Sequence, residues 1–395
     1  MKIDLHTKEF IRAHADDDPN RLLLSAARYP DIDVPFVVDQ IVARRHVREK
    51  LPEWVAHETL FPSRISGEQC SSESTARYKQ QLMRSGLRVC DLTGGLGVDS
   101  YYLSQRAEKL YYVERFPFYC EVARYNFDRL GATNIEVIEG DGMALYASLE
   151  EIDLFYIDPA RRGTGNSRVF ALADCEPDLT EALPKLLSAA PRVIAKLSPM
   201  ADLRQTLELL PGTEEIHVLS VKNDCKELLF VIGRQSSVHS PEVHAVNFTS
   251  PEEYDRFHFP LDEEKDCPAK QADTIGQYLY EPNASILKAG AFKTVAKRYG
   301  VEKLAVNSHL YTSSELVLGF PGRSFEVQAV YPFNKQASRA LSKTIPQAHI
   351  TVRNFPLSVK ELRARLRIQE GGDIYLFATL LANSEKVIIA CRKVG

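Results

Sequence analysis

Nine residues, Asp91-Leu92-Thr93-Gly94-Gly95-Leu96-Gly97-Val98-Asp99, carry the sharpest chemical signal in the 395-residue sequence. The run follows an apolar stretch that reads as a strand and opens one that reads as a helix. Gly94, Gly95 and Gly97 let the backbone turn tightly and approach a ligand closely. Three more carboxylates recur at matching places. Glu114 ends the next apolar stretch, Asp141 follows the third in Glu139-Gly140-Asp141, and Asp158 ends the fourth in Ile157-Asp158-Pro159-Ala160-Arg161-Arg162. All four places are carboxyl ends of expected strands, where open α/β sheets bind ligands. An acid about 20 residues beyond a glycine turn accepts hydrogen bonds from ribose hydroxyls. A carboxylate after the third strand can accept from an adenine amino group. A lone Gly-x-Gly turn says little, but three acids in register with it point to a nucleoside. Asp91 and Asp99 flank the loop. Negative flanks suit a cationic sulfonium joined to adenosine better than the pyrophosphate of a nicotinamide dinucleotide, which sits on a helix N-terminus.

A layered sheet is needed to position those acids. From residue 87, short apolar runs at 88–92, 110–114, 135–139, 153–158 and 192–197 alternate with helical patterns, notably Phe118–Leu130 and Leu179–Ala190. Such alternation implies an α/β fold, a parallel sheet with helices on both faces. Two further runs, 215–221 and 227–233, lie five residues apart. That gap is too short for a helical crossover, so the two are expected to pair antiparallel. Upstream, residues 1–86 read as a helical region punctuated by Pro30, Pro35, Pro52 and Pro62, with a last helix over about Ser72–Arg84. Downstream, 236–275 is acidic and weakly patterned, and reads as a linker with one strand at Val243–Phe248. Residues 276–395 show an α+β pattern, with a helix at Ala291–Tyr299 and strands at Ser324–Val330, His349–Val352, Ile374–Thr379 and Lys386–Cys391.

The net charge of −4 by itself argues against a nucleic-acid binder. Its distribution argues the other way. Residues 320–395 hold 12 Lys and Arg against 5 Asp and Glu, whereas 87–235 hold 16 against 23. A basic module is the electrostatic footprint of a phosphate-binding surface, or else a solvated face with an excess of cations. Within it Lys360, Arg363 and Arg367 fall at helical spacing, with Arg353 ahead of them. Seven cysteines, with no pair at Cys-x-x-Cys spacing, disfavour a disulfide framework or a zinc ribbon, and no metal is expected. No apolar run approaches the ~20 residues of a membrane span. The charged start MKIDLHTKEF lacks a signal-peptide centre. A cytoplasmic protein is expected.

Residues 87–235 resemble the class I (Rossmann-like) S-adenosylmethionine-dependent methyltransferases, whose order is five parallel strands and then an antiparallel pair. The run DLTGGLGVDSYYLS (91–104) followed by VERFP (113–117) is similar to the ribosomal RNA guanine-N2 methyltransferases, with their Asp-x-x-x-Gly-x-Gly-x-Asp loop and Glu-Arg pair. The whole chain resembles uncharacterised bacterial methyltransferases in which DPARR is the fourth motif. Its YLYEPNASILKAG (278–290) and LSVKELRARLRIQEGGDIYLFAT (357–379) look like theirs as well. That resemblance implies a small ferredoxin-like piece over 276–319 and a THUMP-like domain over 320–395. It also implies S-adenosylmethionine as cofactor and RNA, tRNA or rRNA, as partner, without specifying the reaction.

Amino-group methyltransferases place Asp/Asn-Pro-Pro-aromatic at the fourth strand. The acid and the following carbonyl accept the amine hydrogens, and the ring stacks on an extruded base. Here Asp158-Pro159 is kept, while Ala160-Arg161 replaces Pro-aromatic. An arginine plane can stack on a base or grip a phosphate, and Arg161 and Arg162 could equally form local ion pairs. Carbon-5 pyrimidine methyltransferases need a cysteine nucleophile. The segment after the fifth strand, Ala195-Lys196-Leu197-Ser198-Pro199, has none. Gln69 and Ser71, just before the sheet, either reach the methionine end of the cofactor or merely accompany a helix cap. The candidate set is then Asp158, Pro159 and Arg161 for transfer, and Asp91, Thr93, Gly94, Gly95, Gly97, Asp99, Glu114, Asp141 and Gln69 for the cofactor. Arg162, Arg353, Lys360, Arg363 and Arg367 are the candidates for nucleic acid. Two rivals stay open: a DNA or small-molecule methyltransferase, and a non-catalytic RNA-binding protein that keeps the cofactor fold.

Overall fold

The structure, a computed structural model, describes residues 4–161, 172–236 and 238–394. The chain forms two compact units, Met1–Glu215 with Leu228–Val238, and Ile216–Glu227 with His239–Gly395.

Six helices open the first unit: α1 (Leu5–Ala13), α2 (Pro19–Leu24), α3 (Val34–Val47), α4 (Pro52–Ala56), α5 (Arg64–Gln69) and α6 (Glu73–Lys79). Asp4, Asp18, Asp33, Ser63 and Ser72 accept backbone N–H groups at the starts of α1, α2, α3, α5 and α6. Those are donors that a helix leaves unpaired. Pro35 and Pro52 stand in first turns, where a missing N–H costs nothing. The helix expected to reach Arg84 ends at Lys79 and continues as a tighter turn over Gln80–Leu82.

The alternating part follows as β1 (Arg88–Asp91), α7 (Val98–Ser104), β2 (Lys109–Glu114), α8 (Pro117–Arg129), β3 (Ile135–Glu139), α9 (Gly142–Leu145) and β4 (Leu154–Ile157). Then come a short ribbon β5 (Ala160–Arg161) and β6 (Cys175–Glu176), α10 (Leu179–Ala189), β7 (Arg192–Leu197), α11 (Leu203–Leu209), β8 (Thr213–Val221) and β9 (Asp224–Gly233). In this unit the order is β9–β7–β4–β1–β2–β3. β1 lies parallel to β2 and β4, β2 to β3, and β4 to β7, while β9 runs antiparallel to β7. Between β8 and β9, Lys222 and Asn223 both take positive φ, 50° and 64°, the turn that matches hairpin twist.

The sequence sets residues 1–86 apart as a helical region, but the structure does not separate them. Ala43, Val47, Leu51, Trp54, Phe61 and Ala76 share one buried cluster with Val89, Tyr102, Tyr112, Tyr156 and Ile194 of the sheet layer. α3 is buried at Val34, Val37, Val38, Gln40, Ile41, Ala43 and Val47, around most of its circumference, and such a helix needs cover on more than one side. A second cluster, with Phe10, Ile11 and Leu22, takes its other side.

The second unit holds β10 (Glu242–Phe248), β11 (Tyr254–Pro260), α12 (Leu261–Asp266), β12 (Tyr278–Pro282), α13 (Ala284–Ala289), α14 (Phe292–Tyr299), β13 (Glu302–Lys303) and β14 (Tyr311–Ser313). It continues with β15 (Gly322–Pro332), α15 (Lys335–Thr344), β16 (His349–Arg353), α16 (Val359–Leu366), β17 (Ile374–Leu380) and β18 (Lys386–Lys393). Residues 236–275 are not a linker with one strand. β10 and β11 form an antiparallel hairpin, with Phe257 and Phe259 of β11 buried. Glu264 of α12 is also buried and accepts the backbone N–H groups of Lys293 and Thr294 at the start of α14. Acidic composition suggested solvation, yet this acid is a helix cap. Residues 276–319 and 320–395, expected as two pieces, share one seven-stranded sheet, β13–β14–β12–β15–β18–β17–β16, because β12 pairs with both β14 and β15. Leu341 of α15 and Leu362 and Leu366 of α16 pack with Ile350, Leu376 and Ile388 of the strands. Among the described residues no helix is long and apolar enough to cross a membrane.

Candidate functional site

The carboxyl ends of β1, β2 and β4 and the turn after β3 surround a cavity of about 560 Å³ in the first unit. That is the size of a small-ligand pocket. Its lining includes Gln69, Asp91, Thr93, Gly94, Gly95, Gly97, Asp99, Glu114, Asp141 and Asp158, which the sequence had scattered over ninety residues.

The glycine loop has its shape for reasons behind it as well as in front. A Cβ on Gly94 would lie 2.3 Å from the Tyr112 ring, and one on Gly97 would lie 2.7 Å from Phe127, at a residue whose φ is already +90°. Tyr112 is fully buried and packs edge-on against Phe127, so neither ring can yield. Gly95 has φ +55°, and a Cβ there would touch nothing nearer than the Thr93 carbonyl at 3.8 Å. The loop therefore lies flat on two rings with its backbone exposed to the cavity. Gly94→Ala is expected to destabilise the first unit by roughly 1–3 kcal/mol through overpacking. Trp54, the single tryptophan of the chain, is buried there and reports it by fluorescence. An unchanged midpoint would show that the loop moves freely off Tyr112.

Each predicted acid has its own surroundings. Asp91 is 1 % exposed. It accepts from Thr93 N and Ser100 Oγ, and burial pushes its carboxyl up to about 7. Glu114 accepts Gly95 N on one oxygen and Phe116 N on the other, both at 2.9 Å. It pins the loop to the end of β2, and each oxygen keeps a lone pair for a hydroxyl. Asp141 caps α9 through one oxygen, with Met143 N at 2.8 Å and Ala144 N at 3.1 Å. Thr93 Oγ accepts Asp158 N at 2.7 Å, joining the first and fourth motifs. Gln69 is exposed at the cavity's edge. Ser72 caps α6, while Ser71 turns inward to Asp99 at 2.8 Å.

Asp99 departs from expectation. Its charge is not offered to a ligand alone, for it is buried against Lys79 Nζ at 2.8 Å, Tyr156 Oη at 2.8 Å and Lys196 Nζ at 3.4 Å. Burial would raise its pKa, but the two ammonium groups outweigh burial and hold it below the usual carboxylate range. Lys196 also sits 2.5 Å from Asp158 Oδ2, and the Asp158 side chain is 37 % exposed. Neither lysine was singled out from the sequence. The available signal was a lysine inside the apolar strand RVIAKL, since a buried ammonium has to be paired. Ala160 and Arg161 follow Asp158 in the ribbon, paired to Glu176 and Cys175. Arg162 lies outside the described residues.

The C-terminal cations divide into two groups. Arg353 and Arg323 both pair with Glu281, which is 3 % exposed. Arg363 donates to the Ala348 and Ile368 carbonyls and pairs with Glu370. Arg353 and Arg363, both expected as phosphate contacts, thus also serve as internal ties of the unit. Lys360 and Arg367 are exposed. So are Lys335, Arg339 and Lys343, which fall four residues apart along α15. That spacing is visible in the sequence.

A ferredoxin-like domain model matches residues 278–321, and a THUMP-domain-like model matches residues 322–393. A crystal structure from Porphyromonas gingivalis W83, provisionally described as a methyltransferase, is 38% identical over 100% of both chains with a TM-score of 0.90. A Clostridium acetobutylicum protein described as an uncharacterised RNA methyltransferase is 26% identical over 35% of this chain. A protein-L-isoaspartate O-methyltransferase of Methanoculleus marisnigri is 29% identical over 30% of it. The chain spans 34% and 46% of the lengths of these two curated relatives.

Proposed function

The chain belongs to the class I S-adenosylmethionine-dependent methyltransferases with a THUMP-like C-terminal domain, and on that premise we propose that it methylates a base nitrogen in structured RNA, tRNA or rRNA. The observation that carries this reading is the convergence of Asp91, Glu114, Asp141 and Asp158 on one cavity floored by a glycine loop. When bound, S-adenosylmethionine supplies a methyl group already activated on a positive sulfur. The residues present fit it. Thr93, Gly94, Gly95 and Gly97 offer close backbone, Glu114 has lone pairs for ribose hydroxyls, Asp141 has for an adenine amine an oxygen that no other described residue engages, and Asp91 and Gln69 line the remainder. Asp99 acts behind the loop through its lysine partners.

Asp158 and the Pro159 carbonyl would accept the hydrogens of an acceptor amine and leave its lone pair open. Arg161 would hold the base or its phosphate, with Arg162 beside it. The division of labour proposed keeps 87–235 for transfer and 320–395 for docking, with 1–86 and 276–319 built into the units they adjoin. The test is calorimetry with S-adenosylmethionine, followed by modified-nucleoside mass spectrometry of total RNA from a deletion strain beside its parent. Loss of one modified nucleoside supports the reading, and an identical profile ends the RNA assignment.

RNA docking is supported by α15 and α16. Lys335, Arg339, Lys343, Lys360 and Arg367 are exposed, and among the described residues none has a carboxylate in salt-bridge range. Replacing Lys335, Arg339 and Lys343 together by Gln is expected to weaken RNA binding at least about tenfold near 0.1 M salt, and to flatten the log–log salt dependence by about 2. An unchanged slope would place the RNA elsewhere.

A further inference from the structure

Two buried cations lie behind the carboxylates that this chemistry uses. Lys196 interrupts an apolar strand and lies 2.5 Å from Asp158 Oδ2, 3.2 Å from Ser71 Oγ and 3.4 Å from Asp99 Oδ2. Lys79, fully buried at the end of α6, donates to Asp99 Oδ1 at 2.8 Å and to Ser71 Oγ at 2.6 Å. Tyr156 Oη adds a third donor to Asp99 Oδ2. Two ammonium groups and two carboxylates balance within the cluster.

Buried ion pairs are weak stabilisers beside apolar pairs of equal volume, so stability alone does not account for four charges here. The placement suggests a use. Three of the four charges are at least nine-tenths buried, and the fourth, Asp158, is the most exposed to the cavity that Asp99 and Lys196 also line. An aspartate side chain one-third exposed would ordinarily sample several rotamers. Lys196 engages its Oδ2, among the described residues nothing engages Oδ1, and Thr93 Oγ holds its backbone N–H. Transfer rates are sensitive to displacements of this kind, since misplacement by about 1 Å can cost on the order of 100-fold.

We propose that Ser71, in the link between α5 and α6, and Lys79 of α6, with Lys196 of β7, are positioning residues for transfer, holding Asp99 and Asp158 as one charge-neutral cluster in which Lys196 fixes the Asp158 carboxylate and leaves Oδ1 for the acceptor. The N-terminal helices are then part of the reaction site rather than a cap beside it. This rests on the methyltransferase reading above, and adds that the charge balance of the cluster is felt at the sulfur.

The test compares equilibrium affinities of the full-length protein for S-adenosylmethionine, which is cationic at sulfur, and S-adenosylhomocysteine, which is neutral there. Lys196→Met leaves the cluster one charge more negative and is expected to raise the preference for the cationic ligand about fivefold. Asp158→Asn removes a negative charge and is expected to lower it by a similar factor. The double variant restores balance and is expected to return within about twofold of the parent. A merely structural role would weaken both ligands alike and leave the ratio still. Single variants that shift the ratio in the same direction, or by less than about twofold, would overturn the proposal. If Lys196→Met fails to fold by Trp54 fluorescence, Asp158→Asn and the charge-balanced double variant still decide it, because the second must restore what the first removes. A parent protein that binds neither ligand would instead sink the methyltransferase reading.

Discussion

Asp158→Ala is expected to lower single-turnover methyl transfer by about 10³-fold, the size of a lost acid–base or oxyanion-type contact. The S-adenosylmethionine dissociation constant is expected to rise by less than about tenfold. The split follows from where Asp158 sits. Its side chain is the more exposed of the two cluster carboxylates, while Glu114, Asp141 and the glycine backbone are tied to β2, α9 and the loop without it. Removing the carboxylate leaves Lys196 with Asp99 at 3.4 Å and Ser71 at 3.2 Å, so the buried ammonium keeps partners and the fold should hold. Isothermal titration and rapid-quench transfer on RNA from a deletion strain measure the two quantities separately. Equal loss of both would contradict the assignment of Asp158 to the acceptor.

The largest stability effect is expected at Lys79. It is 0 % exposed and supplies the closest cation to Asp99. Lys79→Met leaves a buried carboxylate with one ammonium, at 3.4 Å and shared with Asp158. Breaking a buried pair from one side costs about 3–5 kcal/mol. For a unit of this size that lowers the melting midpoint by roughly 10 °C. Trp54 fluorescence isolates the first unit, since no other tryptophan exists to report the second. Adding Asp99→Asn should recover part of the loss by removing the stranded charge. A midpoint within about 2 °C of the parent would mean that Lys196 alone neutralises Asp99.

The glycine loop and its ring of acids were legible because both rest on local rules. Strand periodicity located β1 to β4 to within a residue or two, and an acid at a strand's carboxyl end in an open sheet lies at the edge where such sheets bind ligands. Asp99 shows where locality fails. Its neighbours Lys79 and Lys196 are 20 and 97 residues away, and nothing in the loop's own sequence says that its second acid will be neutralised from behind. The ion pairs of the C-terminal cations were hidden for the same reason. Arg353 and Arg363 looked as free as Lys335 and Lys343, and only the positions of Glu281 and Glu370 separate them.

By itself, the order of residues determined a parallel α/β sheet, a nucleoside-sized turn after its first strand, and a basic α+β module after it. Backbone period and glycine conformations are short-range, and they survive whatever packs around them. Tertiary structure alone decided that the N-terminal helices join the sheet's core, that 236–275 is a hairpin with a capping acid, and which charges meet. Pairing energies depend on distance and burial, and both are set only when segments far apart in sequence close on one another.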